Sequence, residues 1–173
     1  MKYNLVALFD NDSNRFIDYN YRHNSKRNKN IYHTPLHIVL ETIDDPDINK
    51  LNDLLLKILK PYKRFKVHFN TLHTLSSNNK NQYLNVEEKG YINGLVRNLN
   101  EDLKLAGFKV KDSDNNENLF VSLSQNSPKN LNFKSNSSQI SIDSFAKIEK
   151  IEIWKPIGNK KHSVVNTYNL REF

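Results

Sequence analysis

The stretch that decides the fold is "PLHIVLE", Pro35 to Glu41, which sets one histidine inside a short apolar run. It is short, β-branched and led by a proline, so it reads as a strand. A second stretch, "NLFVSLS" from Asn118 to Ser124, has the same outline. Leu119-Phe120-Val121-Ser122-Leu123 lies over Leu36-His37-Ile38-Val39-Leu40, 83 positions further on (120 against 37). One pattern recurring at that distance predicts two similar halves sharing a core, not a tandem array. The whole chain, 1–173, is therefore expected to form a single bilobal domain.

Working outward, "KYNLVALF" (2–9) reads as a strand and residues 12–25 as a helix. Ser25 to Asn30, "SKRNKN", is a basic loop without apolar periodicity. Residues 46–60 form the clearest helix. Asp45 is its expected cap, Pro46 sits in its first turn and Pro61 stops it. Ile48, Leu51, Leu54, Leu55, Ile58 and Leu59 follow the spacing of one buried face. "RFKVHFN" (64–70) alternates strictly, with Phe65, Val67 and Phe69 on one side and Lys66 and His68 on the other.

After a polar loop, which takes in "TLHTL" around His73, "QYLNVEE" is a strand. A second amphipathic helix runs from about Glu88 to Ala106, with Gly107 as its stop. Gln125 to Ser141 is rich in Ser and Asn and is expected to be a flexible insertion. "IEKIEIWK" and "HSVVNTYNL" close the chain as strands joined by a Gly-Asn-Lys-Lys turn. The order predicts an α+β fold with mainly antiparallel sheets.

Composition limits the function classes. There is no cysteine, hence no disulfide framework and no cysteine nucleophile or metal ligand. No apolar run approaches membrane-spanning length, and a cytoplasmic location is expected. The net charge is +7, and its basic residues cluster, as in Lys57, Lys60, Lys63, Arg64 and Lys66. Tyr21, Tyr62 and Trp154 interrupt such clusters. That balance favours phosphorylated or polyanionic partners, although a lysine- and asparagine-rich solvated surface has the same composition. His33 and His37 would pair on a metal only in a helix; in a strand four residues span roughly 13 Å, too far for one ion. No metal or other cofactor is expected.

Over nearly its whole length the chain resembles the two-histidine (2H) phosphoesterases, which include RNA 2′,5′-ligase-like proteins and cyclic nucleotide phosphodiesterases. The resemblance rests on "YNLVALF", "PLHIVLE", "ILKPYKRFKVHF", "LNVEEKGYINGLVRNLNEDLKLAGF" and the closing "KIEKIEIWKP…KKHSVVNTYNL". It implies two sheets flanking a central basic cleft, helices outside, and one motif strand from each lobe facing inward. The family's reaction uses two His-x-Thr/Ser motifs without a metal. One imidazole serves as base, the other as acid, and the two hydroxyls hold the phosphate oxygens.

This sequence departs from that pattern twice. His37 matches the first histidine but Val39 replaces its hydroxyl; Phe120 replaces the second histidine, and Ser122 keeps its hydroxyl. A valine methyl donates no hydrogen bond and a phenyl ring exchanges no proton. Together those losses remove ~5 kcal/mol or more of transition-state stabilisation. The resemblance then implies a binder with lost or very weak catalysis, its ligand a nucleotide, a cyclic dinucleotide or an RNA phosphate end. Sequestering a nucleotide signal is one such role. His37, Val39, Phe120, Ser122, Lys66 and His68 are its expected ligand contacts. His37 alone is the catalytic candidate if activity survives.

Two alternatives stand beside it. One is an active cyclic phosphodiesterase in which His68, His73 or His162 replaces the missing imidazole. The other is a protein-interaction module whose cleft takes no nucleotide.

Overall fold

The computed structural model describes residues 1–22, 34–75, 82–111, 118–123, 137–159 and 161–172. Within them the chain runs β1 (Lys2–Phe9), α1 (Asn11–Tyr21), β2 (His37–Asp44), α2 (Ile48–Leu59), β3 (Phe65–Leu75) and β4 (Gln82–Val86). It continues through α3 (Tyr91–Leu105), β5 (Lys109–Val110), β6 (Phe120–Ser122), β7 (Ser137–Pro156) and β8 (His162–Asn169).

The strands form one antiparallel network in the order β1-β2-β6-β4-β3-β7-β8, and β1 also pairs with β7. The two sheets of the expected α+β arrangement are thus joined into a single circuit. Two features join them. β7 is 20 residues long, and its first part pairs with β3 while its second lies between β1 and β8. On the other side, β2 meets β6 at the pair Ile38↔Val121.

Three helices cover one face of this sheet. α2 turns Leu51, Leu55, Ile58 and Leu59 inward, and α3 turns Ile92, Leu95, Leu99 and Leu103. They meet Leu5, Ala7, Ile38, Ile43, Phe69, Leu84, Val121, Ile151 and Ile153 in one cluster. Each buried Leu, Ile, Val or Phe among them contributes roughly 1.5–3 kcal/mol of hydrophobic stabilisation. The opposite face is free of described helices and carries a separate small cluster of buried apolar residues, Val6, Leu8 and Trp154. No described helix is long and apolar enough to cross a membrane.

Several boundaries differ from the sequence reading, each for a local reason. α1 ends at Tyr21, with the Arg22 N–H bonded to the Asp18 carbonyl. α2 is capped by Asp47, which accepts from the Lys50 N–H at 3.2 Å, and not by Asp45. Asp45 has φ 40 and its carboxylate takes the N-terminal ammonium. α3 begins at Tyr91 rather than Glu88 because Gly90, at φ 66, holds a backbone no helix contains.

β3 continues through His73, a residue expected in a loop. Its pairings with both β4 and β7 shift register between Phe69 and Thr71. That bulge at Asn70 turns Thr71 and His73 away from the core face occupied by Phe65, Val67 and Phe69. Ser137 to Ser141, read as the end of an insertion, are the start of β7. Ten of its register pairs with β3 run from Leu75↔Ser137 to Phe65↔Ile148. Ladder hydrogen bonds hold a strand whose composition alone would not. The remainder of that stretch, Gln125 to Asn136, lies outside the described residues, as do the loop Ser25–Asn30 and His33.

Candidate functional site

The site is built on the junction of β2 and β6. Ile38 and Val121 are paired and both fully buried in the helix-covered core. Side chains alternate along a strand, so His37, Val39, Phe120 and Ser122 all turn to the helix-free face. The antiparallel register around Ile38↔Val121 sets His37 opposite Ser122 and Val39 opposite Phe120. Directly opposed residues have Cβ atoms about 4.5–5.5 Å apart. Four of the six expected contacts are therefore neighbours, and their exposure agrees: Val39 is exposed and the other three half-buried.

β4 extends the same row, with Tyr83 opposite Ser122 and Asn85 opposite Phe120. Tyr83 is fully buried and meets the Phe120 ring edge-on at 5.6 Å. His73 follows on β3, opposite Tyr83, and its burial lowers its pKa.

His37 is held in one tautomer. Its Nδ1 lies 2.8 Å from the Pro35 carbonyl oxygen, which can only accept, so Nδ1 carries the proton and Nε2 the lone pair. Burial lowers the His37 pKa, against the bond to Pro35, and the nearby His162 lowers it further. At neutral pH the ring is uncharged and Nε2 is a proton acceptor.

Beside it stands a group that sequence reasoning did not assemble. On β7, Lys150, Glu152 and Trp154 share the helix-free face, while Ile151 and Ile153 enter the core. The Trp154 ring packs against His37 at 4.5 Å and is stacked on His162 of β8 at 3.6 Å, the planes 12° apart. The buried Glu152 accepts the Trp154 Nε1–H at 2.7 Å. It also receives Lys150 Nζ at 3.2 Å and the Thr167 hydroxyl at 3.4 Å. The every-other-residue spacing in "KIEIWK" could have shown that Lys150, Glu152 and Trp154 share a face. Nothing local to the sequence shows that the face meets His37.

Lys66 and His68 are not brought to this cluster. They lie on β3 before the bulge, where Lys66 is exposed. His68 is clamped on both ring nitrogens, Nδ1 to Glu87 and Nε2 to Asp143, each at 2.6 Å. The Asp143 and Glu87 hydrogen bonds raise its pKa. Neither nitrogen can reach a ligand without releasing a carboxylate. Among the described residues no three His, Asp or Glu side chains converge as a metal site.

Sheet circuit, outer helices and the paired motif strands define a 2H-phosphoesterase-like fold, and solved structures share it. The chain is similar to TT0787 of Thermus thermophilus, with a TM-score of 0.63, 11% identity and 99% of each chain covered. A crystallised phosphoesterase gives 0.61 at 9% identity, again over 99% of each chain. E. coli LigT, solved in complex with 3′-AMP, gives 0.58 at 10% identity over 98% of this chain and 97% of LigT. No protein-family model matches the sequence, and no curated protein matches it.

Proposed function

We propose that the chain binds the phosphate end of a nucleotide, cyclic dinucleotide or RNA on the helix-free face between β2 and β6, and that family-type catalysis is lost or very weak. The observation that carries this reading is the register, in which His37 opposes Ser122. The His37 Nε2 and the Ser122 hydroxyl then flank one small volume in which a phosphate oxygen meets both. The arriving anion favours protonation of Nε2, which then donates a charge-assisted hydrogen bond, and the hydroxyl donates a neutral one. Directly alongside, Val39 and Phe120 offer an apolar surface to the group the phosphate carries. A base stacked on an aromatic ring there adds roughly 1–3 kcal/mol. The complex of E. coli LigT with 3′-AMP and the net charge of +7 support the ligand class. A sequestering role for such a site in the cytoplasm follows from binding without turnover.

The catalytic half of the reading rests on chemistry. Only one His–hydroxyl pair remains of the two the reaction uses, and removing a general acid or base typically lowers rate by about 10²–10⁴-fold.

Isothermal titration with 3′-AMP, cyclic dinucleotides and 3′-phosphorylated oligonucleotides tests binding. His37→Asn is expected to weaken it about 10- to 100-fold, the range of a hydrogen bond to a charged group. No binding of any of these by the unaltered chain overturns the reading.

A further inference from the structure

We propose that His162, on β8, is the second imidazole of this anion site, and that the ligand the pair fits is a phosphomonoester dianion. The inference rests on the nucleotide reading above and deepens it. His162 is the first residue of β8, opposite Pro156. The turn before it is closed by the Ile157 N–H on the Lys161 carbonyl at 2.8 Å. Its ring lies flat on Trp154, 3.6 Å away. Trp154 is only 4% exposed and is fixed through its Nε1–H to Glu152. His37 packs on the same indole. One rigid aromatic therefore positions both imidazoles, and their centroids lie no further apart than the two ring contacts together. Ser122 stands across the strand pair from His37.

These three donors match a monoester. Its phosphoryl group presents three terminal oxygens and close to two charges at neutral pH, against two such oxygens and one charge for a diester. Burial disfavours the charged form of both imidazoles when the site is empty, lowering the pKa of His162 against the raising effect of Glu152 as it lowers that of His37. Among the described residues the charged groups facing His162 are Glu152 on β7 and, when protonated, His37 on β2, with Lys161 next to it in the chain and Lys155 of β7 opposite the neighbouring Ser163. Glu152 already accepts from Trp154, Lys150 and Thr167, so the proton for the anion comes from solvent. An arriving dianion favours imidazolium, and binding takes up a proton. Affinity then falls as pH rises through the imidazole pKa of the complex, by up to about tenfold per pH unit for one proton.

The test is isothermal titration of the full chain with 5′-AMP and with 3′,5′-cyclic AMP, in buffers of different ionisation heat, at pH 6.5, 7.5 and 8.5. Expected are proton uptake with 5′-AMP, weakening with rising pH, and cyclic AMP bound at least about tenfold more weakly. His162→Asn should lose part of the uptake and about tenfold in affinity at pH 6.5, and little at pH 8.5. His162→Phe keeps a ring on Trp154 but cannot titrate, so it should behave like the Asn variant. Wild-type uptake and affinity in the Phe variant, or equal binding of the two nucleotides, overturns the inference. Binding that needs His37 but not His162 overturns it alone. No binding by the unaltered chain removes the nucleotide reading with it. Far-ultraviolet circular dichroism and the thermal midpoint report whether each variant keeps its fold.

Discussion

Val39→Thr with Phe120→His rebuilds the cross-strand pair that the chain lacks. Because the register opposes residues 39 and 120 as it opposes 37 and 122, the double variant carries two His–hydroxyl pairs running in opposite senses. The stability cost is small. Val39 is 39% exposed, and isosteric exchange at such a surface changes stability by about 0.5 kcal/mol or less. Phe120 is half-buried and loses an edge-on ring contact with Tyr83, roughly 0.5–1.5 kcal/mol. A total near ~2 kcal/mol leaves a domain of ordinary stability folded. The gain is larger: about 10²–10⁴-fold from a restored acid or base and about 10²–10³-fold from a restored phosphate donor. These do not multiply in full, because the two groups act together. Hydrolysis of adenosine 2′,3′-cyclic phosphate, followed by chromatography, should rise at least about 100-fold over the unaltered chain. Each single variant should give less than its share. A folded double variant that still binds 3′-AMP yet gains no activity would show that residues 39 and 120 do not face the bound phosphate.

Glu152→Leu should destabilise the chain by about 1–3 kcal/mol in urea denaturation, because the buried Trp154 Nε1–H loses its acceptor; Glu152→Gln, which keeps one, should cost less than half as much. His68 has its pKa raised in the folded chain, so its contribution is complete below the ordinary histidine value and is lost as pH rises through the raised one. The thermal midpoint of His68→Gln should therefore approach that of the unaltered chain on going from pH 6 to pH 9, and a pH-independent gap would refute the clamp. Asp47→Ala should cost about 1 kcal/mol as a lost N-cap, and Asp45→Ala distinctly less; equal losses would return the cap to Asp45.

Two of the helices were legible because their physics is local. The three-and-four spacing of Leu51, Leu55, Ile58 and Leu59, or of Ile92, Leu95, Leu99 and Leu103, specifies a buried face without reference to the rest of the chain. The bulge at Asn70 was not legible. One inserted residue leaves no mark in composition, yet it reverses the faces of Thr71 and His73. Ser137 to Ser141 failed for the opposite reason: their serines suit a loop, and only long-range pairing with β3 makes them strand. At the site, His37 and Ser122 were readable from the repeated five-residue pattern. The packing of Trp154 on His37 and His162 joins β7, β2 and β8, and no window of sequence contains it.

The register also changes what the two substitutions mean. Taken along the chain, each five-residue stretch carries one polar residue of the two that a His-x-Thr/Ser motif has, His37 in the first and Ser122 in the second. Taken across the strands, the other two positions coincide: Val39 opposes Phe120, and both are apolar. His37 and Ser122 form one polar pair, and the pair next to it, Val39 and Phe120, is one of the cross-strand combinations, aromatic with β-branched, that stabilise a sheet. Such an arrangement leaves no buried imidazole or hydroxyl without its partner, whereas losing either residue alone would strand the other in a partly desolvated place. The site is then polar at one end and apolar at the other. In the proposed binding mode the phosphate would be met from the polar end, and hydrocarbon would face the group it carries. That asymmetry favours a ligand whose phosphate is terminal.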